Sequence, residues 1–251
     1  YSYRMPQAID YGERSLALAR ELNLREQMAF TLNDLAGCYW VLGRFDQAKA
    51  AVHEAQTLWR ELGNLPMLAD SLNISAQIRI RVGEYDQALV SSAEAYQISQ
   101  SIDNVWGNTH SQFRLGYIYW ERGQIEQAIA IMEKSIHHGD SAGFLVPPIV
   151  TRTELAAVYG SLGQIKHGLE LGRVALAIAR EQMPLYEAFV LGVLAQLELL
   201  HGHIDQAKET IALAQQEPSH KVWPVYFVPV RQADGRLALK LGDYERALAV
   251  A

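Results

Sequence analysis

The stretch Gly83-Glu84-Tyr85-Asp86-Gln87-Ala88 decides the fold, because its pattern returns along the whole chain. GRFDQA stands at 43–48, GQIEQA at 123–128, GQIKHG at 163–168, GHIDQA at 202–207 and GDYERA at 242–247. The six glycines are 40, 40, 40, 39 and 40 residues apart. With glycine at about 7% of residues, five further hits at one preset period have a chance probability on the order of one in a million. The surroundings repeat as well. Five of the six stretches end in alanine (Ala48, Ala88, Ala128, Ala207, Ala247), the sixth ends in the equally small Gly168, and Ala8 extends the register backward.

Working outward, each glycine separates two helical patterns, such as ADSLNISAQIRIRV at 69–82 and DQAKAAVHEAQTLWREL at 46–62. Both carry apolar residues at i, i+3, i+4 and i+7, and no stretch alternates as a strand would. The glycine predicts a left-handed turn closing the first helix, called A here. Asp46, Asp86, Glu126, Asp205 and Glu245 then fall at the start of the second helix, B, where they suit free amides and the positive end of the dipole. Pro66, Pro147, Pro184 and Pro224 stand near the start of A helices, where a missing amide costs little. Seven residues before each turn glycine lie Ala36, Ala76, Gly116, Ala156, Ala195 and Gly235. A second small column on helix B holds Ala55, Ala95, Ser135, Ala175 and Ala214. Such columns predict close helix contacts and a pair that must stack on its neighbours.

These residues resemble the tetratricopeptide repeat, whose pattern is a small residue, an aromatic, a turn glycine, and two small residues seven apart. One unit reads Ala36, Tyr39, Gly43, Phe45, Ala48, Ala55; another reads Ala156, Tyr159, Gly163, Ile165, Gly168, Ala175. The usual repeat has 34 residues, and here it is longer. That is similar to the long-helix variety in the sensor arms of bacterial maltose-activator-like regulators and related nucleotide-switch ATPases. The resemblance implies an all-α fold, a right-handed superhelical solenoid of antiparallel helix pairs. The expected division is a half-repeat at 1–24, complete repeats at 25–64, 65–104, 105–144, 145–183 and 184–223, and a truncated repeat at 224–251.

Composition narrows the function. The 251 residues carry a net charge of -6 and one cysteine. An acidic balance argues against a nucleic-acid-binding face, and one cysteine excludes a disulfide framework. No run reaches the length of a membrane helix. The first helical pattern is already running at Ala8 and the last stops mid-pattern at 245–251. We therefore expect a piece of a longer, cytoplasmic protein.

Chemistry-bearing residues are few. There is no GxxxxGK[ST] and no GxGxxG. His201 and His203 flank a turn, and His137 and His138 sit near a helix end, where histidine suits the dipole. Cys38, beside Tyr39 with no basic neighbour, reads as a buried, inert thiol. Glu154, Glu187 and Glu198 lack a partner in register. No catalytic residue, metal site or cofactor is expected.

The resemblance implies that ligands meet the concave, helix-A face. The matching positions are Asn33, Trp40, Asn73, Gln77, Arg81, His110, Phe113, Tyr117, Trp120, Gln196, Gln232 and Arg236. Amides suit an extended peptide backbone, and aromatics give contact area at low entropy cost. Phe113, Tyr117 and Trp120 form a second apolar stripe, opposite the one holding Leu115 and Tyr119. It serves either the groove or packing between repeats. A carboxylate-gripping chaperone clamp is not expected, since Asn33, Gly37, Ile74, His110 and Arg114 match it only at Arg114. The expectation is a non-enzymatic binding scaffold and sensor module of a larger bacterial signalling or transcription regulator. Its partner would be a protein, a peptide or a small molecule such as a sugar, with no nucleic acid and no membrane. The alternative is a structural or oligomerisation arm, such as a homo-oligomer, without a ligand.

Overall fold

The computed structural model describes residues 5–216 and 224–250. The outermost residues of the expected half-repeat (1–4), the end of the 184–223 repeat, and Ala251 lie outside them. Among the described residues the chain is all-α, with no strand. The helices are α1 (Met5–Glu21), α2 (Arg25–Val41), α3 (Phe45–Leu62), α4 (Leu65–Arg81), α5 (Tyr85–Ser101), α6 (Val105–Glu121) and α7 (Ile125–Ser141). They continue as α8 (Val146–Ser161), α9 (Ile165–Gln182), α10 (Glu187–His201), α11 (Ile204–Gln216), α12 (Val228–Leu241) and α13 (Tyr244–Val250). Single 3-10 turns at Pro184–Tyr186 and Pro224–Phe227 lead into α10 and α12, so two of the four expected prolines open a tighter turn rather than the helix itself. Even-numbered helices are the A helices. The chain forms two compact units, residues 1–138 and 139–251.

The turns explain the period. Gly43, Gly83, Gly123, Gly163, Gly202 and Gly242 all take positive φ, from 73° to 86°. The next amide then reaches back to a carbonyl five residues earlier, as from Arg44 to Tyr39 at 2.8 Å and from Glu84 to Arg79 at 2.9 Å. That bond satisfies a carbonyl the helix end would leave unpaired. A second series joins B to the next A: Asn23, Gly63, Asp103 and Gly143 also have positive φ and are again forty residues apart. Glycine, asparagine and aspartate are the residues that enter this region most cheaply. Asn64 and Asn104 follow and cap α4 and α6, accepting from the amides of Met67 and Gly107. In α3 and α5 the N-cap residues Arg44 and Glu84 make no side-chain cap bond, and the first-turn acids meet basic side chains instead, Asp46 lying 3.7 Å from Lys49 and Asp86 accepting from Arg122 at 2.7 Å.

In residues 1–138 the small columns are the helix contacts. Ala36, Ala48, Ala55, Ala76, Ala88 and Ala95 have no exposed surface. A Cβ on Gly116 would stand 2.4 Å from Met132 Cγ, so α6 approaches α7 closer than any side chain permits. Ser135 replaces alanine in its column and donates to the Thr109 carbonyl at 2.9 Å, so its hydroxyl is not stranded. Outside, Arg20–Glu54 at 2.7 Å and Arg60–Glu94 at 2.8 Å tie successive B helices with the same forty-residue offset. Exposed pairs of this kind contribute little to stability, about 0–1 kcal/mol each.

In residues 139–251, Ile149, Leu169, Val190, Leu194 and Leu197 form one apolar cluster, and Leu191, Leu199, Ile211, Val230 and Leu237 another. Gly192 lets α10 touch α12: a Cβ there would lie 2.5 Å from the Val230 nitrogen.

Candidate ligand-binding wall

Helices α2, α4 and α6 run side by side in residues 1–138, and three of the expected lining residues are set into their wall. Asn33 is 4% exposed, Asn73 3% and Trp40 6%. Ser71 Oγ donates to Asn33 Oδ1 at 2.6 Å. Ser111 Oγ lies 3.1 Å from Asn73 Oδ1 and 2.8 Å from the Gly107 carbonyl, with one proton to share. Asn73, expected among the residues lining the ligand-facing groove, is instead a buried amide. Burial requires its polar atoms to find partners, and the hydroxyl of the next A helix supplies one. The missed signal was a hydroxyl column at the same period: Thr31, Ser71, Ser111 and Thr151.

The polar centre of the wall is Arg114. Its guanidinium donates to Gln77 Oε1 at 2.7 Å, to the His110 carbonyl at 3.2 Å and to His110 Nδ1 at 3.1 Å. A guanidinium only donates, so Nδ1 accepts and the imidazole proton sits on Nε2. Burial, aided by the Arg114 charge, holds the His110 pKa down at about 3. The ring is thus neutral, and its Nε2 is buried without a hydrogen-bond partner. Trp106, which the expected set omitted, covers this ring with centroids 4.3 Å apart. Phe113, Tyr117 and Trp120 are half-buried, neither enclosed as core nor fully presented to solvent. Arg114 also lies 5.8 Å from the Phe113 ring centroid. Arg81 is exposed.

Two carboxylates complete this wall. Asp70 occupies the column of His110, forty residues earlier, and Asp34 sits eighty residues before Arg114. Burial pushes the Asp70 carboxyl above its ordinary value; the Arg114 charge works against that and Asp34 works with it. Burial likewise raises Asp34. Sequence columns could have found both, since each shares its position with a residue already singled out. Cys38 is half-buried, which corrects the buried reading. Burial and then Asp34 raise its thiol, so it has little thiolate character.

The remaining expected residues lie in residues 139–251. Gln196 donates to the Pro229 carbonyl at 3.0 Å and approaches Gln232 Oε1 at 3.4 Å. Gln232 and Arg236 are exposed and line an open cavity of about 410 Å³ with Val228, Arg231 and Leu239. His201 and His203 stack with ring centroids 4.4 Å apart beside Lys166 and Arg173. Glu198 is buried, and burial raises its carboxyl while a bond from Thr210 opposes the shift. His138 Nδ1, in the first unit, lies 3.1 Å from Gln112 Oε1. Among the described residues no group of three or more histidine, cysteine, aspartate or glutamate side chains could hold a metal ion, and no helix is long and apolar enough to cross a membrane.

Comparison with known proteins gives the wall a context. Residues 1–251 match the model of a family described as the MalT-like TPR region. No curated protein matches the chain. Among solved structures, a Rap protein complexed with Competence and Sporulation Factor is similar with a TM-score of 0.78 at 13% identity, over 98% of this chain and 68% of that one. BtubC (BKLC) from P. vanneervenii gives a TM-score of 0.67 at 18% identity, over 84% and 90%. A tetratricopeptide repeat protein from Parabacteroides merdae gives 0.60 at 13% identity, over 99% and 91%. At these identities the likeness establishes the fold.

Proposed function

Because the chain belongs to the MalT-like TPR-region family, a helical-repeat fold of protein-interaction scaffolds, we propose that it binds an extended peptide segment on the A-helix wall of residues 1–138. In this reading it is the sensing arm of a larger bacterial regulator. One observation carries the proposal. Polar groups that a folding core would avoid, Gln77, His110 and Arg114, are linked in one network beside half-buried Phe113, Tyr117 and Trp120. Hydrogen bonds among the wall's own residues hold the network in place, so little ordering cost remains at binding. The aromatics supply apolar anchors and the Gln77 amide N–H meets a backbone carbonyl. The Rap neighbour, which is complexed with Competence and Sporulation Factor, supports the fold's suitability for a bound factor.

The test is a random-sequence peptide library displayed on phage and panned against the whole chain, followed by titration of the enriched peptides as synthetic molecules. Trp120→Ala and Tyr117→Ala should each weaken binding about tenfold or more, as expected for anchor aromatics. Gln232→Ala, in the other unit, should bind as wild type. Thermal melts separate lost binding from lost folding. If no peptide is enriched, or if the aromatic variants bind like wild type, the peptide reading is wrong and a structural arm is favoured.

A further inference from the structure

One edge of the first unit, where each B helix turns into the next A helix, exposes a row of large apolar side chains. Leu22, Leu24, Leu62, Leu65, Val105 and Trp106 each keep between 41 and 56% of their surface. They belong to three successive turns, whose left-handed residues Asn23, Gly63 and Asp103 are forty residues apart. The Arg25–Glu61 ion pair ties the first turn to the second. The Ser71–Asn33 and Ser111–Asn73 bonds hold α2, α4 and α6 side by side. The six side chains therefore form one row of three steps. Singly exposed apolar residues are ordinary, whereas a contiguous set with a polar rim marks an interaction surface.

Folding does not require this row. Leu24 is the N-cap of α2, with φ -86° and ψ 78°, close to the -85° and 84° of Asn64, whose side chain caps α4. Asn104 caps α6 in the same column. Leucine at that position accepts no amide, and about half of its surface stays in water, so it serves neither the cap nor the core. Forty residues beyond Trp106, Val146 packs on the core cluster around Ile149, so the fold is able to bury this column.

Charge selects the occupant. Arg20, Arg25 and Arg60, beside the row, are already paired with Glu54, Glu61 and Glu94. Among the described residues the exposed acids Glu21, Glu26 and Asp103 have no ion-pair partner. The charge left over along the row is therefore negative. Spacing selects the occupant's form. Neighbouring A helices pack about 8–10 Å apart. In an α-helix, residues i and i+7 share a face and lie about 10.5 Å apart along the axis. A strand covers a similar length in three residues, which points successive contacts to opposite faces.

We propose that this edge docks an amphipathic helix of a partner protein, about two heptads long. Its apolar stripe lies on the three steps, and its flanking lysines or arginines meet Glu21, Glu26 and Asp103. The proposal does not depend on the peptide reading of the wall.

The experiment titrates the whole chain with hydrocarbon-stapled helical peptides of about 18 residues. One carries a leucine stripe flanked by lysines, a second replaces the lysines with glutamates, and a third shuffles the first so that the stripe is lost. The lysine-flanked stripe should bind at least about tenfold more tightly than either control. The double variant Leu62→Gln/Leu65→Gln should weaken that binding about tenfold or more. Leu24→Asn should also weaken it while raising the melting temperature by about 2–4 °C, because α2 gains a cap. A row needed for folding would melt lower instead. Equal binding of the three peptides, or a double variant that binds like wild type, overturns the proposal. Sedimentation of the chain alone should show a monomer. A dimer that the double variant dissociates would overturn the partner helix and assign the row to a second copy of the chain.

Discussion

Ser71 Oγ donates to Asn33 Oδ1 at 2.6 Å between α2 and α4, and forty residues later Ser111 Oγ stands 3.1 Å from Asn73 Oδ1 between α4 and α6. The same chemical link thus sets the register of successive A helices. Both amides are buried, so the links stiffen the wall from within. Among the described residues Asn33 Oδ1 is the one acceptor the Ser71 hydroxyl bonds, so removing the asparagine takes away that partner from a buried group. Asn33→Ala should therefore lower stability by about 1–3 kcal/mol. Asn73→Ala should cost less, since Ser111 keeps the Gly107 carbonyl at 2.8 Å. Urea melts of both variants check the order, and equal midpoints would show that the second acceptor does not matter.

His110 makes the first unit sensitive to acid. Its folded pKa of about 3 lies below the unfolded value near 6.5, so the unfolded chain binds the proton more readily. The stability is present above the unfolded value and is lost as pH falls from there toward the folded one. By about pH 5 the loss should reach about 2 kcal/mol. Asp34, Asp70 and Glu198 have raised values and act in the opposite sense as their folded carboxyls take up protons first. The comparison that isolates the histidine is wild type against His110→Gln, which should lose less stability between about pH 7 and about pH 5. Identical pH profiles would mean that His110 is protonated in the folded chain.

Two helical glycines should respond in opposite directions to the same methyl group. At Gly192 a Cβ would lie 2.5 Å from the Val230 nitrogen and 2.7 Å from the Pro229 carbonyl carbon, both backbone atoms that cannot rotate away. Gly192→Ala should cost about 1–3 kcal/mol through overpacking. At Gly37 nothing lies within 4 Å, so Gly37→Ala should stabilise α2 by up to about 1 kcal/mol. Thermal melts of the two variants give the signs directly.

Metal removal should leave the fold unchanged. His201 and His203 stack on each other, and His138 meets Gln112, and among the described residues no group of three or more ligand-type side chains gathers around either. Melts with EDTA and with added zinc should overlay, and a large fall in melting temperature with EDTA would return these histidines to consideration.

The helix pairs and their turn glycines were readable because each repeat restates the same requirement. A left-handed residue at Gly83 and a small one at Ala76 leave few alternatives at those positions. The B-to-A turn was also written in the sequence, but in a less uniform alphabet. Asn23, Gly63, Asp103 and Gly143 share a backbone conformation rather than a residue type. The wall was harder. Asn73 has the side chain of a surface residue, and only the pairing with Ser111 shows that it belongs inside. Asp70 is unremarkable as a letter and becomes informative once burial and the proximity of Asp34 are known. Periodicity assigns a residue to a helix face; it does not say whether a polar side chain there finds a partner.

The most direct test of the central claim is hydrogen–deuterium exchange on the whole chain, with and without a synthetic peptide selected from the library. The account predicts added protection in α2, α4 and α6, strongest in the segment carrying His110 to Trp120. It also predicts that Trp120→Ala abolishes that protection while keeping its own helices protected. Protection confined to α3 and α5, or found only in residues 139–251, would contradict it and move the binding surface elsewhere on the molecule.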